Sequence, residues 1–445
     1  MKRAPFGALF ISRPRARKPR RSGRGGASAL TLHVLLDTYN RHRQSVNVLR
    51  AYRYRFYPTP EQESVLRRTF GCVRLVYNKA LHARSEAWTL GKESIGYVAQ
   101  SSALTAWKKT PDLAFLNEVS SVPLQQALRH LAVAYTNFFS KRAAYPSFKK
   151  KRSNGSAEYT RSAFKLDGQS LTLAKMNGPL DVRWSRPLPE GARPSTVTAS
   201  LDTAGRWHVS ILCDDPTVSH LPKSEQAVGL DMGISSLVTL STGEKVANPR
   251  WDEREKKRKR TLARSLARKE KGSKNRLKAK LKLARLHARV ADRRKDHLHK
   301  LSTRLVRENQ AIVVEDLNIR GMVQNRSLAR VISDAGWSML VGFLDYKSKW
   351  YGRDLIKVDR FYPSSKTCSA CGFVVERLPL DVRRWSCPAC QAEHDRDENA
   401  ACNILAAGLA VSVCGPGVSQ RALRGAVQSG MKQKSLAVKP GILAL

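Results

Sequence analysis

Residues 227–246 read AVGLDMGISSLVTLSTGEKV, and the alternation in their first eight positions decides how the second half of the chain is built. Val228, Leu230, Met232 and Ile234 take one face of an extended strand, while Ala227, Gly229, Asp231 and Gly233 take the other. An acid that shares its face with glycines has room beside it for a metal ion and for a phosphodiester backbone, whereas a structural Asp in a central strand would want a packed basic partner. A second strand completes this stretch after a turn. Downstream, AIVVE (residues 311–315) is the continuous apolar run of a buried strand and delivers Glu315 at its carboxyl end, where α/β sheets place their sites. Asp316 is the competing acid. A helix around 337–350, the strand LIKVDRF (355–361), a Cys-rich insert and a closing helix from Asp397 continue the alternation, which predicts an α/β sheet interrupted by a metal-binding module.

In the closing helix, residues 397, 401, 404, 405 and 408 share one face, and Ala401, Ile404 and Leu405 make it apolar, so Asp397 is predicted to face the sheet. Asp395 lines up instead with Asn399 and Cys402 and reads as an outward or capping residue. Three carboxylates from a first strand, a later strand and a closing helix suit two Mg²⁺ ions about 4 Å apart, one activating water and one stabilising the leaving oxygen. Each acid taken singly is as readily a cap, a turn or an ion-pair residue. The ordered trio Asp231, Glu315 and Asp397 in an otherwise basic chain is what singles them out.

Cys368-x2-Cys371 and Cys387-x2-Cys390, separated by fifteen residues, have the spacing of two knuckles that give four thiolates to one tetrahedral Zn²⁺. No coordination position is left open, so this zinc is structural. Lys366, Arg383 and Arg384 are expected to offset the negative charge of the four thiolates. Cys72, Cys213, Cys402 and Cys414 read as ordinary cysteines.

Upstream, RAYRYRFYPT (residues 50–59) sets Tyr52, Tyr54 and Phe56 against Arg53, Arg55 and Tyr57, a strand with one apolar and one basic-aromatic face. Thr59 and Gln62 form a capping box, and Leu66, Phe70, Val73, Tyr77 and Leu81 follow as a helical stripe. Further helices are predicted over 94–108 and 123–142. Short β-like runs at 171–173, 197–201 and 207–213 then suggest a small barrel with helices inserted. From 251 to 309 the chain is helical and carries 23 Lys+Arg against 7 Asp+Glu, broken at Gly272 and Ser273. Its sign bias favours an electrostatic track for a nucleic-acid backbone over a solvated hairpin.

The whole chain agrees with that partner. Its 445 residues carry 80 Lys+Arg against 36 Asp+Glu, a formal charge of +44, and each phosphate neutralised releases a condensed counterion. The predicted phosphate contacts are Arg53, Arg55, Lys149, Lys150, Lys151, Arg152, Lys256, Lys257, Arg258, Lys259 and Arg260. With 42% hydrophobic residues the chain has enough apolar content for globular domains, which a disordered polycation lacks. No run is long and apolar enough for a membrane helix, and the thiolate quartet calls for a reducing compartment, so a cytoplasmic, nucleoid-associated protein is expected. Residues 1–47, with seven Arg/Lys between Arg13 and Arg24, read as a disordered basic arm, and Val48 stands where a GTG start would fall had the frame been opened too far upstream. The tail, 411–445, is expected to be poorly ordered.

With these residues in hand, the chain closely resembles the TnpB (OrfB) family of insertion sequences, the RNA-guided RuvC nucleases related to type V CRISPR effectors. The resemblance spans about 49–407 and rests on RAYRYRFYPTPEQ, TFGCVRLVYNKAL, YPSFKKKR, GLDMGISSLVTLSTG, VVEDLNIRGM, SDAGWSMLVGFLDYKSKWYGR, YPSSKTCSACG and DRDENAACNILAAG. Carried over residue by residue, the family's three RuvC carboxylates fall on Asp231, Glu315 and Asp397. The resemblance implies a multidomain α/β and β-barrel protein. Its parts are an oligonucleotide-binding-type barrel (48–58 and 143–222) with a helical recognition insert (59–142), an RNase H-like nuclease domain (223–363 and 392–410) and a zinc ribbon (364–391). It further implies a guide RNA transcribed from the transposon end and double-stranded target DNA chosen by base pairing beside a short motif, with cutting of the excised donor site helping to retain the element. A decayed, binding-only relative would show Ala, Asn or Ser at a carboxylate position, and none is present. A transposase acting directly would want a metal-binding His pair on a strand; His297 and His299 fall inside the predicted basic helix, where residues two apart point to nearly opposite sides.

Overall fold

The computed structural model describes residues 48–151 and 154–414; the basic arm 1–47, Arg152 and residues 415–445 lie outside the described residues. Strand β1 (Val48–Tyr57) realises the predicted alternation, with Tyr52, Tyr54 and Phe56 buried and Arg53 and Tyr57 exposed. It pairs antiparallel with β7 (Trp207–Asp215), from Val48 opposite Asp215 to Arg55 opposite His208. With β2 (Gly155–Thr160), β5 (Asp181–Arg183) and β6 (Arg193–Leu201) they form a five-stranded sheet in the order β2-β6-β7-β1-β5.

Strand pairing alone does not close these five strands into the expected barrel. Edge strands β2 and β5 do not pair with each other; a separate hairpin, β3 (Phe164–Asp167) and β4 (Ser170–Leu173), stands between them. Leu171 bridges to Leu180 beside β5, and residues 161–163 lead β2 directly into β3, so this hairpin links the two edge strands.

Between β1 and β2 come α1 (Pro60–Gly91), α2 (Tyr97–Trp107) and α3 (Ser121–Phe139). The capping box is made: Thr59 Oγ1 accepts from the Gln62 amide at 3.3 Å, and Gln62 Oε1 accepts from the Thr59 amide at 3.1 Å. The buried stripe of α1 and the Leu124, Leu128 and Leu131 face of α3 share one core with the sheet, joined by the Phe56–Trp207 and Phe70–Trp207 ring contacts at 5.7 and 5.9 Å.

The second half is built on β8 (Ala227–Asp231), β9 (Ser236–Leu240), β10 (Lys245–Ala247), β11 (Ala311–Glu315) and β12 (Asp354–Val358), in the order β10-β9-β8-β11-β12. Strands β8, β11 and β12 are parallel; β9 runs antiparallel to β8 and β10 turns back antiparallel to β9, which adds one short strand to the two expected. The basic segment consists of α4 (Trp251–Arg254), α5 (Lys256–Ala267) and α6 (Lys274–Glu308), with Ser273 capping α6 through the Arg276 amide. Short helices α7 (Ile319–Met322) and α8 (Ala329–Ala335) precede α9 (Trp337–Tyr351). Leu298, Leu301 and Leu305 of α6 and Leu340 and Leu344 of α9 cover the Val228/Leu230 face of the sheet. Buried Lys347 stitches these helices together, donating to the His299 carbonyl, Ser302 Oγ and Thr303 Oγ1 at 2.7–2.8 Å. The closing helix α10 (Arg396–Cys414) covers the other face through Ile404 against Val313 and Val358, and it runs on to Cys414, past the expected start of the tail at 411. Among the described residues no helix is long and apolar enough to cross a membrane.

The two halves meet through a run of rings and cations. His299 stacks on Phe343 at 3.8 Å, Phe343 meets Tyr346, and Tyr346 meets Trp350 at 4.6 Å. Arg50 then lies 5.3 Å from the Trp350 ring and 5.2 Å from Tyr52, whose other neighbour is Arg186 at 5.1 Å. Arg50 also reaches the fully buried Asp215, which accepts from the Tyr52 hydroxyl and from Thr217.

Candidate active site and metal centre

Asp231 ends β8, Glu315 ends β11, and Asp397 sits in the first turn of α10, so two parallel strands and one helix N-terminus deliver the three predicted acids to one end of the sheet. The Asp231 carboxyl is pushed up to about 7, chiefly by burial and then by the charges of Glu315 and Asp397; Arg396 and Arg383 oppose the shift. Burial also raises Glu315, whose Oε1 accepts from Ser364 Oγ at 2.6 Å. Arg383 lies 3.3 Å from Asp397 Oδ1. Crowded carboxylates, of which Asp231 holds a proton near neutrality, are a set of hard oxygen donors suited to a divalent cation in the proton's place.

The glycines beside Asp231 serve another purpose than expected. A Cβ on Gly229 would lie 2.2 Å from the Ala401 carbonyl oxygen and 2.8 Å from the Leu405 amide, so this strand face is filled by α10 rather than left for a substrate backbone. At Gly233 a Cβ would press to 3.0 Å on the Ser236 carbonyl in the β8–β9 turn. Open space at the site therefore begins at Asp231 itself.

The competing acids point elsewhere. Asp395 Oδ1 caps α10 by accepting from the Asp397 and Glu398 amides, and its Oδ2 pairs with Lys245 at 2.7 Å. Asp316 pairs with Arg360 at 3.0 Å at the exposed rim. His297 and His299 lie within α6, as the periodicity predicted, and form no metal pair.

The four predicted cysteines come together. Their sulfurs lie within 4.8 Å of one another, with Cys368–Cys390 at 3.7 Å and Cys371–Cys387 at 3.6 Å. A tetrahedral zinc with Zn–S of about 2.3 Å requires S···S separations of about 3.8 Å, so the donor set fits. Both knuckles are built alike. The Gly372 amide donates to the Cys368 carbonyl and the Gln391 amide to the Cys387 carbonyl, each at 2.8 Å, and both residues have positive φ. A short hairpin, β13 (Arg384–Ser386) with β14 (Glu393–Asp395), carries the second knuckle. His394 Nε2 approaches Cys368 Sγ at 3.0 Å. Of the three cations expected to offset the thiolates, Arg383 turns to Asp397 instead and Lys366 donates to the Glu376 carbonyl.

Sequence reasoning missed the joint between these two centres. Asn399 and Asn403, one turn apart on α10, are buried against the zinc module. Asn399 donates to the Thr367 carbonyl at 2.7 Å and accepts from the Ser369 amide at 2.9 Å. Asn403 Nδ2 donates to the carbonyls of Ser364 at 2.8 Å and Thr367 at 2.6 Å. The i, i+4 asparagine pair inside an alanine-rich helix was the available signal. The residue that holds Glu315, Ser364, is thus itself held by the helix that carries Asp397.

The predicted phosphate contacts divide. Arg53, Lys149, Lys150, Lys151, Lys257, Arg258 and Arg260 are exposed. Lys256 pairs with Glu253 at 2.8 Å, and Lys259, its side chain only 14% exposed, is tied to Asp252, so neither stands free for a backbone. Arg55 is half-buried with its Nε enclosed.

Residues 209–326 match the IS605 OrfB family, described as "Probable transposase", residues 337–404 match a "Cas12f1-like, TNB domain", and residues 47–93 match a "Helix-turn-helix domain". Within 48–93 the fold is a strand followed by one long helix. A Streptomyces pristinaespiralis protein named as a candidate RNA-guided DNA endonuclease is 59% identical, over 89% of this chain and 98% of its own length. InsQ of Escherichia coli K12, named likewise, is 34% identical over 82% of this chain and 94% of its own. Among solved structures, a Cas12f1–sgRNA–target DNA complex superposes with a TM-score of 0.50 at 14% identity, covering 78% of this chain and 83% of that one, which shows a shared fold.

Proposed function

The chain belongs to the TnpB (OrfB) family of RNA-guided DNA endonucleases, and we propose that it is itself a transposon-associated nuclease that cuts guide-selected DNA by metal-dependent phosphodiester hydrolysis. The observation that carries this reading is the convergence of Asp231, Glu315 and Asp397 at one end of a mixed sheet in a chain of net charge +44, with the Asp231 carboxyl driven to about 7 by burial and by its two acidic neighbours. The β10-β9-β8-β11-β12 order with a helix crossing on each face supports an RNase H-like (RuvC) nuclease domain, and the β2-β6-β7-β1-β5 sheet supports an oligonucleotide-binding-type fold.

Two Mg²⁺ ions bound by the three acids would activate water and stabilise the leaving 3′ oxygen. The protein's own part is positional. Strand ends fix Asp231 and Glu315, Ser364 orients Glu315 through its hydroxyl, and the α10 N-terminus presents Asp397. Arg383 balances the excess negative charge at the rim, and Asn403 on α10 holds the loop that carries Ser364. Guide RNA and target DNA are held by the exposed cations of the first half and of α5 and α6.

Asp231→Ala, Glu315→Ala and Asp397→Ala should each drop plasmid cleavage by orders of magnitude in Mg²⁺ while RNA-guided binding persists in a gel shift. Asp395→Ala and Asp316→Ala should keep substantial cutting. A wild type that binds but never cuts in Mg²⁺ or Mn²⁺ would establish a binding-only protein instead.

A further inference from the structure

The end of α3 and the segment after it carry a feature that neither the carboxylate site nor the zinc module uses. Phe138, Phe139, Tyr135 and Tyr145 form one interlocked ring cluster, with Tyr135–Tyr145 and Phe138–Tyr145 edge-on at 5.6 and 5.3 Å and Tyr135–Phe139 stacked at 6.1 Å. Arg84 closes its inner side, 3.8 Å from the Tyr135 ring. The outer side is open: Phe139 is 70% exposed, Phe148 54% and Tyr145 49%.

Residues 143–149 have no regular structure, yet they are strapped along α1 at several points. The Asn78 amide bonds Lys149 in both directions, at 2.9 and 2.8 Å, as a strand partner would. Tyr145 Oη is fixed by Ser85 Oγ and by Tyr135 Oη, each at 2.9 Å, and Lys149 Nζ sits 4.0 Å over the Tyr77 ring. Pro146 is buried against this scaffold. The rings of Phe139 and Tyr145 are therefore held in place, and Phe148 stands beside the tethered Lys149 backbone. Around them stand Lys141, Arg142, Lys150 and Lys151, and no Asp or Glu occurs between Glu118 and Glu158.

We propose that Phe139, Tyr145 and Phe148 form a stacking platform for unpaired bases of the guide RNA, with the flanking cations on its phosphates. Ring faces take bases that have left a helix, which a duplex does not offer, and stacking tolerates any base. A protein partner would supply carboxylates for the flanking cations and a nucleic acid would supply phosphates; only the latter also supplies flat π faces in series. Among nucleic acids the guide is the occupant, because an exposed aromatic patch is a standing aggregation hazard unless covered throughout the protein's life, whereas target DNA comes and goes. The proposal rests on the RNA-guided reading above.

Phe139→Ala/Phe148→Ala in the full chain should weaken binding of a labelled single-stranded U20 RNA by at least tenfold, since each base–aromatic stack contributes on the order of 1–3 kcal/mol, roughly 5- to 150-fold. The slope of log K against log salt should not change, because no phosphate contact is lost; Lys150→Ala/Lys151→Ala should instead flatten that slope. Phe139→Trp/Phe148→Trp should restore affinity. In the complex assembled with co-expressed guide, 4-thiouridine crosslinks should map to residues 135–148 before any DNA is added. Unchanged U20 affinity in the double alanine variant, or crosslinks that appear only to DNA, would overturn the platform. Purified protein that carries no guide at all would overturn the RNA-guided reading, while the U20 titration would still decide the platform.

Discussion

Replacing Asn403 with alanine should uncouple the zinc module from Glu315. The side chain is buried on α10, and its single Nδ2 donates to two carbonyls, Ser364 and Thr367, at 2.8 and 2.6 Å. Truncation leaves the Ser364 carbonyl without its donor, while the Thr367 carbonyl keeps the bond from Asn399. At about 1–3 kcal/mol for one buried group left unsatisfied, a loss of about 1–3 kcal/mol in the stability of this joint follows. Ser364 sits on the freed loop, and its hydroxyl bond to the Glu315 carboxylate is of the charge-assisted kind, about 1.5–3 kcal/mol. Losing the orientation of Glu315 should therefore cost about tenfold to a hundredfold in cleavage rate, taking 1.4 kcal/mol per factor of ten. The internal comparison is Asn399→Ala, which breaks a similar pair of bonds to Thr367 and Ser369 but none to Ser364. The assay is guided plasmid cleavage across a Mg²⁺ titration, beside thermal melting of the same samples. Asn403→Ala should need more Mg²⁺ than Asn399→Ala at equal loss of melting temperature, and Ser364→Ala should reproduce the Mg²⁺ defect without the melting defect. Equal cleavage by Asn399→Ala and Asn403→Ala would refute the coupling through Ser364.

Three further outcomes follow from the same geometry. Cys368→Ser or Cys390→Ser should lose one equivalent of zinc by elemental analysis and lower the melting temperature, because structural zinc contributes folding free energy; a variant that lost zinc but melted unchanged would contradict this. In zinc-replete, Mg²⁺-free buffer the Asp231 carboxyl, raised from 3.8 to about 7, binds its proton more tightly in the folded state, so melting temperature should rise as pH falls from above 7 toward 4, and Asp231→Asn should remove much of that slope. Lys257→Ala/Arg258→Ala/Arg260→Ala should lower the salt slope of nucleic-acid binding by about two to three, whereas Lys259→Ala should leave it unchanged and act on stability through Asp252.

Much of the second half is legible because its signals are local. The alternation in AVGLDMGI states which face of β8 is buried, and AIVVE ends its strand on an acid. The phase of α10 separates Asp397 from the capping Asp395, and four cysteines in two knuckles need only their spacing. What stayed hidden depends on which surface comes to lie against which. Nothing near Gly229 says that its missing side chain admits a helix from residue 401 onward rather than a substrate. The partner of Arg383 is fixed by a loop folding back onto α10, so its turn from the thiolates to Asp397 has no mark in its neighbours. Lys256 and Lys259 look like their exposed neighbours until α4 places Glu253 and Asp252 beside them. The link between the edge strands of the first sheet runs through a three-residue turn at 161–163 and one isolated bridge, neither of which leaves a pattern in hydrophobicity.

The run of rings from His299 to Tyr52 is an attachment insensitive to salt, unlike the exposed cations. Cations on an exposed surface release a polyanion as ionic strength rises, since at 1 M the screening length is only about 3 Å. Stacked rings, packed guanidinium faces and a carboxylate as enclosed as Asp215 are out of reach of that screening. Brine strong enough to wash away every strand of nucleic acid should therefore leave the two halves joined. The emptied protein would then melt in a single cooperative step, a tool that survives being set down.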